Sequence, residues 1–169
     1  MKHTISILVN NHAGVLSRVS GLFSRRGFNI SSLAVGETDD PALSRITIVL
    51  DGDEYAGGQI TKQLGKLIDV VTVKVLKDED SVSRELVLLK VKALKEKRAE
   101  IIQIVDIFRA KIIDVSPDCL TIEITGETAK VEALSKMLFE FGILEIARTG
   151  IISLERGDET INNYIYHIK

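Results

Sequence analysis

A chain of 169 residues has room for one domain or two small ones, and 45% apolar against 27% charged residues is the balance of a soluble chain that buries a core. With 22 basic and 24 acidic side chains the net charge is −2, which excludes the electrostatic excess that binding nucleic acid or an anionic membrane would call for. One cysteine excludes an internal disulfide framework and suits a reducing compartment, and no apolar run approaches the ~20 residues of a membrane span.

Met1-Lys2-His3-Thr4 enters a strand directly, with no signal-peptide core, so the expectation is a cytoplasmic protein. Ile5, Ile7 and Val9 alternate with Thr4, Ser6 and Leu8, the period of two that predicts a strand with one buried face. Val15, Leu16, Val19, Leu22 and Phe23 then recur at helical spacing, so the chain turns within Asn11-His12-Ala13-Gly14. A helix starting there aims its unpaired N–H groups and the positive end of its dipole into the loop, an arrangement that holds a carboxylate or a phosphate. Taken alone, the stretch is accounted for by Asn11 capping the helix and Gly14 relieving strain, so a ligand has to be argued from the rest of the chain.

Arg25-Arg26-Gly27 is a helix stop signal, and residues 30–36 form a weakly alternating strand without a charge. Glu37-Thr38-Asp39-Asp40-Pro41 is a polar turn before a third strand over 45–50. A second helix spans 54–67 with Ile60, Leu64 and Leu67 on one face, and 70–76 is a fourth strand. The order is βαββαβ. Residues 77–83 are a charged joint that divides the chain into units 1–77 and 84–169. In the second unit a strand over 84–93 precedes a helix over 97–108 with Ile101, Ile104, Val105 and Phe108 inward. Strands 110–115 and 119–125 form a hairpin around Ser116-Pro117-Asp118, and the run at Cys119 reads as a strand with a buried core thiol. A helix over 127–141, a strand over 144–154 and a polar tail ending in Tyr164-Ile165-Tyr166-His167-Ile168-Lys169 complete a second βαββαβ unit.

Each unit is therefore expected to be α+β, a four-stranded antiparallel sheet with two helices on one face, the ferredoxin-like arrangement. That topology puts the second strand at an edge and leaves the other sheet face bare. Edges are ordinarily guarded by Lys, Pro or a bulge, and 30–36 has none of these, which points to pairing with a second copy.

The chain carries no catalytic constellation: His3, His12 and His167 lack metal-ligand spacing, and Asp39, Asp40, Asp51 and Asp53 fall in turns. An RNA-recognition module of this topology would stack bases on sheet aromatics, yet aromatic residues are only 5% of this chain. An acylphosphatase-like enzyme would need an arginine in the first loop, and Arg18 lies a turn into the helix.

The run from Asn11 to Ile30, NHAGVLSRVSGLFSRRGFNI, together with Ser32-Leu33-Ala34-Val35-Gly36-Glu37-Thr38 and Ser44-Arg45-Ile46-Thr47-Ile48-Val49, resembles the opening of acetolactate synthase small subunits without a gap. The second half is similar in length and pattern. The resemblance implies an N-terminal ACT domain, a module that senses amino acids, followed by a second α/β sandwich domain that activates the catalytic subunit. It implies a non-catalytic regulatory subunit of branched-chain amino acid biosynthesis that activates a separate large catalytic subunit and confers feedback inhibition by valine. Thiamine diphosphate, FAD and magnesium would then belong to that catalytic partner, with no cofactor on this chain. The effector site expected is Asn11, His12, Ala13, Gly14, Val15 and Leu16, joined by Asn29 and Ile30 of a second copy if the edge strands of two ACT domains pair into a homodimer. A stand-alone ACT-type sensor is the alternative reading.

Overall fold

The computed structural model describes residues 1–53 and 55–163. It contains two compact units, the first made of Met1–Ser83 with the chain from Ile151 onward and the second of Arg84–Gly150.

In the first unit β1 (Lys2–Asn10), α1 (Val15–Arg25), β2 (Ile30–Glu37), β3 (Leu43–Asp51), α2 (Ala56–Leu64) and β4 (Val70–Leu76) follow the expected order. The strands lie β2-β3-β1-β4, all antiparallel, with Ile7 opposite Ile46 on one side and Val73 on the other. The alternation in β1 therefore aims Ile5, Ile7 and Val9 at Val15, Val19, Leu22 and Phe23 of α1 and Ile60 and Leu64 of α2, and these residues form one core. The second helix is shorter than 54–67 because Gly65 closes it, while its expected first residue, Glu54, lies outside the described residues.

The opposite face of this sheet departs from expectation. Instead of being bare, it holds Ser6, Leu8, Thr47, Val49, Thr72 and Leu76, all buried. The chain from Ile151 lies on it. The Ile151 N–H donates to Ser32 Oγ at 2.8 Å, Arg45 Nη2 donates to the Ser153 carbonyl at 3.0 Å, and Lys74 pairs with Glu155. Burial holds the Arg45 guanidinium below its usual pKa, and the nearby Glu155 carboxylate opposes that shift.

The second unit is built on β5 (Ser81–Lys92), whose first three residues belong to the first unit, with α3 (Arg98–Ile107), β6 (Lys111–Val115), β7 (Cys119–Gly126), α4 (Thr128–Phe139) and β8 (Ile143–Arg148), in sheet order β6-β7-β5-β8. Val87, Leu89 and Val91 pack on Ile101, Ile104 and Val105 of α3 and Val131, Leu134 and Leu138 of α4. At the end of this core Glu85, 3% exposed, takes a two-pronged bond from Arg148, with Nε 3.0 Å and Nη2 2.6 Å from its oxygens. Cys119 is only half-buried: it stands opposite Lys92, one position out of phase with the inward Leu120, so the expected core thiol faces the other way.

Two boundaries differ from the sequence division. The joint is shorter than 77–83, a single 3-10 turn over Asp78–Asp80, because β5 already begins at Ser81. The expected strand 144–154 is two strands, β8 and β9 (Ile152–Glu155), interrupted at Gly150 with φ +82°. β9 belongs to the first unit, so the second unit ends at Gly150 instead of running to 169. The tail over 164–169, His167 included, lies outside the described residues.

Candidate functional site

The loop between β1 and α1 is held open from below. Gly14 is the residue that starts α1, in the left-handed region at φ +88° and ψ −11°, where a side chain would be strained. No side chain caps this helix and no acidic residue lies in its first turn. The Arg18 N–H donates to the Gly14 carbonyl at 3.1 Å as the first helical bond, and the Val15 N–H reaches the His12 carbonyl only at 3.4 Å. Val15 is 3% exposed and faces the core, so it can offer a ligand only its backbone, whereas Leu16 is 42% exposed.

Asn11 does not cap α1, contrary to the simpler of the two sequence readings. Its Nδ2 donates to Glu37 Oε1 at 3.0 Å and to the Pro41 carbonyl at 2.9 Å, across the β2–β3 turn. Two acceptors on one side fix the amide's orientation, since its oxygen there would face two other oxygens, and Oδ1 is left turned away from them as an acceptor. The backbone makes the same tie, with the Asn11 N–H donating to the Ala42 carbonyl at 2.7 Å.

A third anchor comes from Asp69, just before β4 and 7% exposed. Its Oδ1 lies 3.0 Å from His12 Nε2 and its Oδ2 lies 2.9 Å from Arg18 Nε. The second of these is an ion pair without hydrogen-bond alignment, so Coulomb attraction and not a directed bond holds Arg18 there. The Asp69 carbonyl also accepts the Asn10 N–H at 2.9 Å. Hence the loop is clamped to the β2–β3 turn through Asn11 and to the start of β4 through His12.

Of the eight residues expected at the site, Asn11, His12, Ala13, Gly14, Val15 and Leu16 are contiguous here. Asn29 and Ile30 are not near them in the same chain: Ile30 pairs with Leu50, which pairs with His3, the opposite end of β1 from Asn11. Asn29 is exposed and Ile30 half-buried at the start of the edge strand, where the register on β3 shifts between Ile30 and Ser32, an irregularity the sequence reading of 30–36 did not expect.

Residues 5–72 match the AHAS small subunit-like ACT domain, and residues 84–157 match the family described as small subunit of acetolactate synthase. A probable acetolactate synthase small subunit of Methanothermobacter thermautotrophicus is 51% identical over 160 residues, covering 94% of this chain and 95% of the relative. The acetolactate synthase small subunit of Mycobacterium bovis is 54% identical over 159 residues, covering 94% of this chain and 95% of its own. The chain belongs to the acetolactate synthase small-subunit family. In three dimensions it matches the crystal structure of the small subunit from Thermotoga maritima with a TM-score of 0.87 and 47% identity, over 94% of this chain and 99% of that one.

Within this small-subunit family fold, sequence reasoning overlooked Glu37, Asp69 and Arg18. Asp69 had a signal: it is the one charge in Leu67-Ile68-Asp69-Val70-Val71, where an acid needs a partner to be buried. Arg18 stands four residues after Gly14 and so on the face of α1 that looks over the helix start. Among the described residues no cluster of His, Cys, Asp or Glu is arranged to hold a metal ion, and no helix is long and apolar enough to cross a membrane.

Proposed function

We propose that this chain is the regulatory partner of a separate catalytic subunit, activating acetolactate formation and transmitting feedback inhibition by valine bound at residues 11–16. The observation that carries the reading is the start of α1: a left-handed Gly14, no side-chain cap, no acid in the first turn, and an Asn11 amide oriented by two acceptors. Such a site suits a zwitterion. The carboxylate meets the helix start, the ammonium meets Asn11 Oδ1, and the branched side chain enters an apolar gap.

Pairing of two β2 edges supplies the rest. If they meet antiparallel about Leu33 and Ala34, residue 30 of one copy faces residue 37 of the other, and Glu37 is the partner of Asn11. Asn29 and Ile30 of the second copy then close the loop, so valine bridges two ACT domains and its occupancy biases how they are set. A carboxylate at a helix start contributes up to ~2 kcal/mol and a buried valine side chain roughly 1.5–3 kcal/mol, which after ordering costs gives affinity on the order of micromolar to millimolar. Thiamine diphosphate, FAD and magnesium belong to the catalytic subunit, and the assembly works in the cytoplasm.

Reconstitution tests this directly. Acetolactate formation by the catalytic subunit is measured with and without the chain across a valine titration; the expected result is activation that valine reverses. Substantial synthesis by the chain alone, or no effect on its partner, overturns the proposal.

A further inference from the structure

We infer that Arg18 reads the carboxylate of the effector, an assignment that rests on the valine-binding reading above. The guanidinium has five N–H donors in a planar fork, and its closest approach to Asp69 is through Nε, 2.9 Å from Oδ2. A Cβ built on Gly14 would lie 3.8 Å from Arg18 Nη2, and no other atom outside the neighbouring residues comes within 4 Å of it. The terminal edge of the guanidinium therefore borders the space directly above Gly14, while the Arg18 side chain as a whole is 53% exposed.

Asp69 explains why the arginine stays there. An arginine at an exposed helix position has many rotamers, and a buried carboxylate, its residue only 7% exposed and already facing His12, selects the one that lays the guanidinium back toward the helix start. With Nε nearest Asp69 and Nη2 bordering the space above Gly14, the Nη edge is placed to meet a second carboxylate side by side, the geometry in which arginine differs from lysine. In this arrangement Asp69 is a positioning residue. Gly14 keeps the space clear, Arg18 recognises the anion, and Asn11 at the other side recognises the cation.

Titration calorimetry on the full chain with L-valine and L-valinamide separates this role from a structural one, because valinamide keeps the ammonium and the isopropyl group and lacks the carboxylate. The wild-type chain is expected to favour valine strongly. In Arg18→Gln valine affinity should fall roughly ten- to a hundred-fold while valinamide binding changes little, so that the preference collapses. Arg18→Lys, which keeps the charge and loses the fork, should recover part of the preference. A wild-type ratio of valine to valinamide in Arg18→Gln overturns the assignment, whether both affinities are unchanged or both fall together; if Arg18→Gln fails to fold, an undiminished preference in Arg18→Lys overturns the fork geometry. A wild-type chain that binds neither compound overturns the effector reading itself.

Discussion

The two units share a topology, and their equivalent loops solve the same problem in opposite ways. Between β1 and α1 the loop is tied to the neighbouring hairpin by Asn11, which donates to Pro41 and Glu37. Between β5 and α3 the tie is Arg98, whose Nη2 donates to the carbonyls of Ala93, Ser116 and Pro117 at 3.1, 2.8 and 2.6 Å. There the helix begins at Lys97 with an ordinary φ of −101°, and Glu100 in its first turn pairs with Lys97 at 3.0 Å. The second unit thus places an acid in the first turn of its helix and ties its loop with an arginine, although neither helix start has a side-chain cap. In the first unit the tie is a small amide set to one side, and the helix start carries neither cap nor acid. The two helix starts differ in the left-handed Gly14 and in the acid of the first turn, and that difference supports placing the proposed effector in the first unit.

The most severe way to erase this difference is Gly14→Asp. Its carboxylate would occupy the helix start and face Arg18, the place proposed for the effector's own carboxylate, and a side chain at φ +88° adds strain of about 1–2 kcal/mol. Valine affinity should fall roughly 30-fold or more, corresponding to ~2 kcal/mol. Val15, Val19 and Leu22 stay in the core, so the fold and the activation of the catalytic subunit should persist. Calorimetry and a valine titration of the reconstituted enzyme check both halves, and unchanged valine sensitivity would remove the loop from the sensor.

Arg98→Ala opens the corresponding loop of the second unit. It strips three carbonyls of a charged donor and should cost about 1–3 kcal/mol in denaturant unfolding, with valine affinity unaltered. A loss of valine binding would mean that the two loops are not independent. Between these in specificity stands Ala34→Lys on β2, opposite Thr47 and next to the free edge. Two lysines brought together by strand pairing should weaken self-association by about 1–2 kcal/mol, or roughly tenfold, read by sedimentation. A wild-type chain that is monomeric at micromolar concentration would refute the paired edge altogether.

Much of this architecture could be read from the residues because its signals are local. Alternation in Ile5, Ile7 and Val9, the apolar spacing of α1, and the glycines at 27 and 142 with φ +71° and +95° each report their own neighbourhood. What escaped were contacts between residues far apart in the chain. The burial of Ser6 and Thr72 depends on a segment that begins at Ile151, and a row of Thr and Ser reads the same whether water or a returning chain lies over it. At the site, Gly14 was legible because its conformation is its own property. The partners of Asn11 were not, since a cap lies three residues away and Pro41 lies 30.

Asn11→Ala is the gentlest of the tests, and it bears on that last point. The substitution removes the acceptor proposed for the effector's ammonium and the two bonds to Glu37 and Pro41. Asn11, Glu37 and Pro41 are all exposed, so water can replace the lost donor, and the chain should lose about 0.5–1.5 kcal/mol of stability at most. The backbone bond from the Asn11 N–H to Ala42 remains, and His12 still faces Asp69, so the loop keeps its place. Valine affinity should therefore drop about fivefold, less than in Gly14→Asp, because one polar contact is lost and the helix start stays open. Calorimetry with valine and valinamide sharpens the reading: removal of an ammonium acceptor weakens both compounds alike, since both carry the ammonium. A selective loss of valine would instead mean that Asn11 acts on the carboxylate end, and the orientation assigned to the bound zwitterion would have to be reversed.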